Sequence, residues 1–427
     1  MFRSSALVTL LSLTASAAGF LVQLMLARRY GISVDVDAYL FAISLPTFIA
    51  AMVSTMLGYE LVPRIIACER DETYKKHYIT SILIGVMGLS LLLGLIGGVI
   101  GMLQRQALPI DSPIRVYENL PNLIFLAWAI CFSQIVLACV TTILNAHRRY
   151  FVGSLLALPP YLGMIILLLV LGDTTGISAL PLGTLSGTIV GILIGIFLLR
   201  HHLFPMPFKH LLLPEMRELM NSSPYSAVAL TSFFAYVPVD AYWAPQAGSG
   251  VLATLGYAQR LITAIGNIAV AGPSAVLVPI IAELIRDNNY KELKRLLLRS
   301  LLVIGGIAIG LAITVTVYAR EIVHLLFGHG VIGVKEINTI ANTIQGMAPG
   351  MVAMLISVIA LRAFFCLRGV EKTAGVLGLG WVAMYFTISM ITYKHGAYGL
   401  ATGYTVTWVI YFCVLAHQLA KRTSSAR

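Results

Sequence analysis

Charged residues are scarce in this chain of 427 residues. Only 11% are Asp, Glu, Lys or Arg, whereas 58% are hydrophobic, and the mean hydropathy is +0.88. A soluble globular protein carries about 25% charged residues, so this chain could not cover a water-facing surface. Apolar runs of about 20 residues recur along its whole length. This composition excludes a soluble protein and predicts an all-α membrane protein.

Features that would indicate several other classes are also missing. The five cysteines are scattered without metal-ligand spacing, which is typical of small buried hydrophobes. Despite the net charge of +11, no basic run is interleaved with aromatic residues, so we expect no nucleic-acid partner. No glycine-rich phosphate-binding motif is present, so ATP is not expected to drive the protein directly. We expect no metal and no cofactor.

Twelve apolar segments predict twelve transmembrane helices. About two thirds of the 29 Lys and Arg residues fall on the side that also holds both termini. The positive-inside rule therefore predicts cytoplasmic termini, and the same residues would attract anionic lipids. The predicted helices cover roughly 5–27, 38–62, 79–103, 119–145, 152–172, 177–199, 222–244, 250–282, 298–319, 340–365, 373–393 and 397–420.

The two halves of the chain share a sequence pattern. GISAL (176–180) opens the sixth segment and GAYGL (396–400) opens the twelfth, at an offset of 220, and LVP (61–63) recurs at nearly the same offset. This indicates a six-plus-six duplication into two lobes of the same orientation. The predicted organisation is an N-terminal six-helix lobe (1–200), a cytoplasmic interfacial linker helix (201–221) and a C-terminal six-helix lobe (222–427).

Two charged residues interrupt neighbouring apolar segments of the second half. Asp240 lies in the seventh, and Arg260, with Gln259 beside it, lies in the eighth. An isolated Arg at the centre of a membrane helix costs roughly 2.5–3.5 kcal/mol on insertion scales, so an Asp240–Arg260 pair would relieve both charges. Such a pair could simply lock two helices together. Alternatively, Arg260 faces a cavity and binds an anionic headgroup such as pyrophosphate bidentately.

Further charged residues lie where the first two segments meet. Asp37 begins the second segment, where an Asp serves either as a helix N-cap or as a cavity residue. Arg28 and Arg29 end the first segment and are either interfacial anchors or ligand contacts. The residues themselves do not decide between these interpretations.

Four motifs, in chain order, resemble those of a known family. LARRYGISVDVDAYLFAISLP (26–46), YAQRL (257–261), LLFGHGVI (325–332) and GLATGY (399–404) resemble the MviN/MurJ lipid II flippases. That family lies within the wider superfamily of multidrug and lipid-linked oligosaccharide exporters. The resemblance extends over about residues 1–420.

The resemblance implies a flippase of the bacterial inner membrane that works by alternating access. Its two six-helix lobes would form a V-shaped central cavity. It would turn a polyprenyl-pyrophosphate-linked glycan to the outer leaflet, alongside cell-wall or polysaccharide synthesis enzymes. A coupling cation or the membrane potential would drive it. The resemblance implies a substrate-binding role for Arg260 and Asp37 and a coupling or gating role for Asp240. The residues themselves add Gln259, Arg28 and Arg29 as candidate substrate-binding residues.

The chain departs from the family pattern in its charged residues. Val22 and Gln23 stand where the family has an Arg–Asp pair, and Tyr385 and Ser389 stand where amide or acidic partners of Asp240 would be expected. Twelve predicted spans replace the fourteen usual for lipid II flippases. A less positive cavity favours another glycan carrier lipid, such as an exopolysaccharide repeat unit, over lipid II itself.

Three other functions stay open at this point. One is a cation-coupled multidrug antiporter of the same superfamily, which would favour an acidic cavity. Another is a membrane-embedded glycan polymerase or ligase, although the predicted outer loops are short for such chemistry. The third is a non-transporting scaffold in a wall-synthesis complex.

Overall fold

The chain is helical throughout the part that a computed structural model describes. That part comprises residues 2–67, 72–203, 232–266, 290–365 and 371–425, with the single residues 228 and 284, and it contains no strand. Its α-helices are α1 (Phe2–Tyr30), α2 (Val34–Ala67), α3 (Glu72–Gln106), α4 (Pro113–Val116), α5 (Leu120–Ala146), α6 (Tyr150–Leu155), α7 (Leu158–Thr175), α8 (Ala179–Leu199), α9 (Tyr236–Ala247), α10 (251–266), α11 (Tyr290–Val317), α12 (Ala319–Phe327), α13 (Val334–Phe365), α14 (Glu371–Thr392) and α15 (Gly396–Ser425).

Each of the twelve predicted segments overlaps one of these helices. The seventh and eighth do so over 236–244 and 251–266, and most of their remaining residues lie outside the described part of the chain. Among the described residues, seven stretches are long and apolar enough to cross a membrane, and two of them, Tyr150–His202 and Lys372–Lys421, each contain two consecutive long helices. The protein is therefore a multi-pass, all-α membrane protein. Several helices exceed their predicted limits; α3, for example, begins at Glu72, where polar residues extend the helix beyond its apolar part.

Two glycines break consecutive helices in the same way in the two halves. Gly176 ends α7 with φ 59° and ψ −141°, and Gly396 begins α15 with φ 68° and ψ −151°. Residues with a Cβ rarely adopt these angles, so both positions require glycine. The recurrence of one unusual conformation at an offset of 220 supports the duplication inferred from the sequence.

The chain divides into two compact units. One comprises Met1–Val22 with Ala38–Ala227, and the other comprises Gln23–Asp37 with Val228–Arg427. The turn between α1 and α2 is therefore part of the second unit, although the helices on both sides of it continue in the first. The predicted boundaries of the lobes stay a prediction, and the predicted linker helix, from residue 204 on, lies outside the described residues.

Each unit has its own interior. In the first unit α7 and α8 approach backbone to backbone, since a Cβ on Gly183 would lie 2.5 Å from the Gly163 carbonyl oxygen. Close packing through small residues is typical of membrane helices. In the second unit the interior is aromatic, and Trp381 and Trp408 are fully buried with ring centroids 5.1 Å apart.

Candidate functional site

A tight helical hairpin carries the polar residues of the second unit's interior. Its arms are α9 and α10, and Gly248 and Gly250 in the connection have φ values of 138° and 80°, which favour glycine. Asp240 on α9 and Gln259 on α10 lie at nearly equal distances along the chain from Ser249. Antiparallel helices place such residues side by side, so the short connection determines which side chains meet.

Asp240 is the centre of a buried hydrogen-bond network. Its side chain is 2% exposed, and the Tyr385 hydroxyl of α14 donates a 2.6 Å hydrogen bond to its Oδ1. The Gln259 Nε2 group donates to its Oδ2. Three helices are thus joined through one carboxylate. Both donors are neutral, and a buried carboxylate needs such donors because leaving it without them is costly.

The predicted ion pair between Asp240 and Arg260 does not form, so this prediction is wrong. Among the described residues no Lys or Arg forms an ion pair with Asp240, and Gln259 occupies the place expected of the arginine. Consecutive residues of an α-helix point in directions roughly 100° apart. Because Gln259 faces α9, its neighbour Arg260 is turned away from the carboxylate.

Arg260 is exposed, although it lies within an apolar segment. Its charge acts on Tyr236, one turn from Asp240 on α9. No carboxylate among the described residues lies within ion-pair distance of its guanidinium. A cationic side chain is therefore available near the buried network, and its binding of a substrate stays a prediction.

Asp37 caps a helix other than its own. It is fully buried, and its carboxylate accepts hydrogen bonds from the backbone N–H groups of Gly250 (2.5 Å) and Ala253 (2.7 Å) at the start of α10. These groups have no partner within a helix, and a carboxylate there also interacts favourably with the helix dipole. Ser33 instead begins α2, where its Oγ accepts from the Val36 N–H at 3.4 Å.

Further contacts hold the turn between α1 and α2 within the second unit. The Tyr257 hydroxyl donates to the Gly31 carbonyl oxygen at 2.7 Å, and the Val331 N–H donates to the Arg28 carbonyl oxygen at 3.3 Å. A Cβ on Gly330 would lie 2.5 Å from the Arg28 Cα, so only glycine fits this approach. We call residues Gln23–Asp37 with these contacts the clasp.

The side chains of Arg28 and Arg29 occupy the end of α1. Arg28 is exposed, and Arg29 lies partly over the Tyr30 ring, with 6.0 Å from its Cζ to the ring centroid. Their contact with a ligand stays a prediction. The observed role of Arg28 is carried by its backbone, which contacts Gly330 and Val331.

Two residues of the site have roles that the sequence did not indicate. Tyr257 belongs to the YAQRL motif, but its hydrogen bond to Gly31 joins positions 226 residues apart. Tyr385 departs from the family pattern, and it is a direct partner of Asp240. The sequence offers one signal for both residues. A tyrosine within an apolar helix predicts a hydrogen-bond partner, because a buried hydroxyl needs one.

A metal site requires several ligands together. Within the described ranges, no group of three or more His, Cys, Asp or Glu residues could hold a metal ion. The described residues of the network around Asp240 offer hydrogen bonding and charge.

A family model and a curated relative both point to the same family. The family model described as "Lipid II flippase MurJ" matches residues 26–426. A curated relative, the probable lipid II flippase MurJ of Buchnera aphidicola subsp. Baizongia pistaciae (strain Bp), is 23% identical over 168 residues. That alignment covers 38% of this chain and 32% of the relative, so it spans about a third of the relative's length.

Solved structures agree on the fold. A lipid II flippase MurJ in an inward closed conformation matches with a TM-score of 0.81 and 17% identity, covering 97% of this chain and 87% of the other. An inward-facing multidrug resistance transporter of the MATE family in the MOP superfamily matches with a TM-score of 0.77 and 15% identity, covering 96% and 95%. The architecture is thus shared by glycan-lipid flippases and drug transporters.

Proposed function

Because the chain belongs to the lipid II flippase MurJ family, we propose that it moves a polyprenyl-pyrophosphate-linked glycan from the inner to the outer leaflet by alternating access. The observation that carries this proposal is Arg260, an exposed guanidinium in an apolar segment with no carboxylate partner among the described residues. The protein would lie in the bacterial inner membrane with both termini cytoplasmic.

In this mechanism Arg260 binds the pyrophosphate. A guanidinium presents paired N–H donors that match two phosphate oxygens, and such charge-assisted hydrogen bonds are roughly twice as strong as neutral ones. The protein would act by lowering the free-energy barrier to moving a polar headgroup through hydrocarbon, and no covalent bond would form or break. Arg28 and Arg29 would add positive charge at the end of α1.

Asp240 would couple transport to an ion. Its carboxylate is buried and held by two neutral donors, so uptake of a proton or a monovalent cation would change the strength of both hydrogen bonds. Because these bonds join α9, α10 and α14, a change at Asp240 would reach three helices together. Gln259 would then act through Asp240 rather than on the substrate.

The clasp would act as a gate. Asp37 and Tyr257 hold the turn between α1 and α2 against α10, whereas the rest of α1 and α2 belongs to the first unit. Alternating access requires contacts that can be made in one state and broken in another. The hydrogen bonds that Asp37 and Tyr257 form with backbone groups are suited to this, because water can take the place of either partner when the turn moves away from α10.

The test is a leaflet-accessibility assay in liposomes containing the purified protein. Fluorescent lipid II and a fluorescent polyprenyl-pyrophosphate-linked exopolysaccharide repeat unit would be supplied separately, which also identifies the preferred glycan. We expect Arg260→Ala to slow flipping by about tenfold or more, and Arg260→Lys to slow it less. Arg320→Ala, which removes an exposed arginine on α12, should leave the rate unchanged. An unchanged rate in Arg260→Ala would reject the proposed role.

A second candidate is a cation-coupled multidrug antiporter. The buried Asp240 and the structural similarity to a MATE transporter favour it. Drug efflux that survives Arg260→Ala but is lost in Asp240→Asn, without any glycan flipping by the wild type, would select it. Formation of new glycosidic bonds by the purified protein would instead indicate a polymerase or ligase.

A further inference from the structure

An open cleft of about 420 Å³ lies in the first unit, where α3 ends and α4 follows. The cleft is formed entirely within the first unit, whereas Asp240 and Arg260 belong to the second, and it has no part in the proposed transport mechanism. Its lining residues are Met102, Arg105, Gln106, Ile110, Arg115 and Val116.

The cleft lies at a membrane surface. The candidate spans Thr73–Gln106 and Leu120–Ala146 adjoin it, so the connection 107–119 is at the end of two membrane helices. Ile110 is 77% exposed and Val116 is 72% exposed. Exposed apolar side chains in a short connection at the end of membrane helices are available for contact with lipid.

Two arginines that line the cleft each donate to a backbone carbonyl oxygen of this connection. Arg105 donates from Nε and Nη2 to the Arg115 carbonyl oxygen, at 3.2 and 3.0 Å, and Arg115 donates from Nη1 to the Leu108 carbonyl oxygen at 2.8 Å. Both side chains are half-buried. These hydrogen bonds fix the guanidinium groups in place and leave the other N–H groups of each free to bind a ligand.

The two positive charges are not neutralised by the protein. Among the described residues no carboxylate lies within ion-pair distance of either guanidinium, although Asp111 and Glu118 occur in the same connection. Two positive charges that line one cleft without a carboxylate partner favour an anion there. A purely structural role accounts for the three hydrogen bonds but leaves the two charges and the exposed apolar residues without a function.

We propose that this cleft binds the headgroup of an anionic phospholipid. The phosphate oxygens would accept hydrogen bonds from Arg105 and Arg115, and the acyl chains would contact Met102, Ile110 and Val116. Arginine is suited to this because its planar fork binds two phosphate oxygens at once. The site is independent of the proposed transport function and would stand if that function were rejected.

The test is native mass spectrometry of the purified full chain titrated with phosphatidylglycerol, phosphatidylcholine or inorganic phosphate. We expect the wild type to hold one phosphatidylglycerol more tightly than any phosphatidylcholine. The double variant Arg105→Gln/Arg115→Gln should weaken that binding by about tenfold or more, and Arg105→Lys/Arg115→Lys should weaken it less. Because glutamine keeps an N–H donor for the carbonyl oxygens, weaker phosphatidylglycerol binding by the glutamine variant would result from the loss of positive charge.

The matched control is Arg149→Gln/Arg200→Gln. Arg149 also donates to a carbonyl oxygen, that of Leu198 at 3.3 Å, and Arg200 lies over the Phe197 ring. This control should bind phosphatidylglycerol as the wild type does. Equal losses in the two double variants, or no loss in Arg105→Gln/Arg115→Gln, would overturn the proposal.

A further variant separates lipid from free phosphate and does not depend on the arginines. Ile110→Ser/Val116→Ser keeps both charges and should weaken phosphatidylglycerol binding while leaving inorganic phosphate binding unchanged. Inorganic phosphate that binds the wild type as tightly as phosphatidylglycerol would overturn the assignment to lipid. Tryptophan fluorescence during heating would check that each variant is folded, and if the arginine double variant is not, the serine variant decides.

Discussion

The Tyr385 hydroxyl donates a 2.6 Å hydrogen bond to the carboxylate of Asp240, which lies 145 residues earlier in the chain. Tyr385 is fully buried and Asp240 is 2% exposed, so water does not compete for this hydrogen bond. Together with Gln259 it gives the carboxylate two neutral partners on two other helices. This buried acid is thus stabilised without a positive charge among the described residues.

Replacing Tyr385 with Phe should destabilise the second unit. The substitution keeps the ring and removes the donor, so one oxygen of a buried carboxylate loses its partner. We expect the free energy of unfolding to fall by about 1–2 kcal/mol, between the average for hydrogen bonds between membrane helices and the value for bonds to charged groups. Thermal unfolding in detergent, followed by tryptophan fluorescence, would measure this.

The control for Tyr385→Phe is Tyr398→Phe, because Tyr398 is 53% exposed. Its unfolding midpoint should equal that of the wild type. Matching midpoints for the Tyr385 and Tyr398 variants would show that the hydrogen bond to Asp240 contributes nothing to stability.

Asp240→Asn should uncouple transport from ion gradients. The amide keeps one acceptor for Tyr385 or Gln259 but can no longer bind a cation or change charge with a proton. We expect flipping to continue at a reduced rate that no longer responds to an imposed proton or sodium gradient. The measurement is flipping in liposomes with and without each gradient.

Glu321→Gln is the matched control for Asp240→Asn, since Glu321 is an exposed acid on α12. It should respond to the gradients as the wild type does. A gradient response that persists in Asp240→Asn would place the coupling group elsewhere in the chain.

Removing the Asp37 carboxylate should loosen the start of α10. Asp37→Ala leaves the N–H groups of Gly250 and Ala253 without their acceptor, and loss of an N-cap costs about 0.5–2 kcal/mol. We expect amide hydrogen exchange at 250–254 to rise by up to about tenfold, with a smaller rise in Asp37→Asn, which keeps one acceptor. Hydrogen exchange followed by mass spectrometry gives the required resolution.

Ser33→Ala provides a local control for Asp37. Ser33 begins α2, so its loss should raise exchange near Val36 and leave 250–254 unchanged. If Asp37→Ala left exchange at 250–254 as slow as in the wild type, the cap would have no role in holding α10.

Gly330→Ala should disrupt the clasp. The added Cβ would lie 2.5 Å from the Arg28 Cα and 2.8 Å from its carbonyl oxygen, so the backbone must move apart. We expect a loss of about 1–3 kcal/mol, the usual cost of overpacking, and faster limited proteolysis within residues 23–37. Peptide mapping of the digest would locate the cleavage.

Gly306→Ala is the control for Gly330→Ala. A Cβ at Gly306 meets nothing within 4 Å, and alanine has the higher helix propensity. This variant should be as stable as the wild type or slightly more stable. Equal proteolysis of both variants would show that the contact with Arg28 does not hold the clasp.

The helices and the repeat could be predicted because they depend on local properties. A run of about 20 apolar residues must satisfy its backbone hydrogen bonds internally, so composition alone predicts a membrane helix. Gly176 and Gly396 could likewise be matched, since an unusual backbone conformation demands glycine at corresponding positions. These predictions required no knowledge of distant contacts.

The partners within the site could not be predicted in the same way. Whether Asp240 meets Gln259 or Arg260 depends on the rotation of α10, and adjacent residues differ by only a quarter of a turn. The chemistry of Asp37 suits a helix cap as one of its two possible roles, but one of the N–H groups that it caps, that of Gly250, lies 213 residues later. Only the folded chain shows which start of a helix lies within reach.

The clasp also affects whether either half of the chain can fold without the other. The carboxylate that completes the start of α10 comes from Asp37, whereas its chain neighbours from Ala38 onward belong to the other unit. Severing the gene at its midpoint would leave α10 in one polypeptide and its cap in the other. If the two fragments were co-expressed, residues 23–37 of the first fragment would have to bind the second fragment before α10 could be capped. This would hold whether or not the two halves arose by duplication.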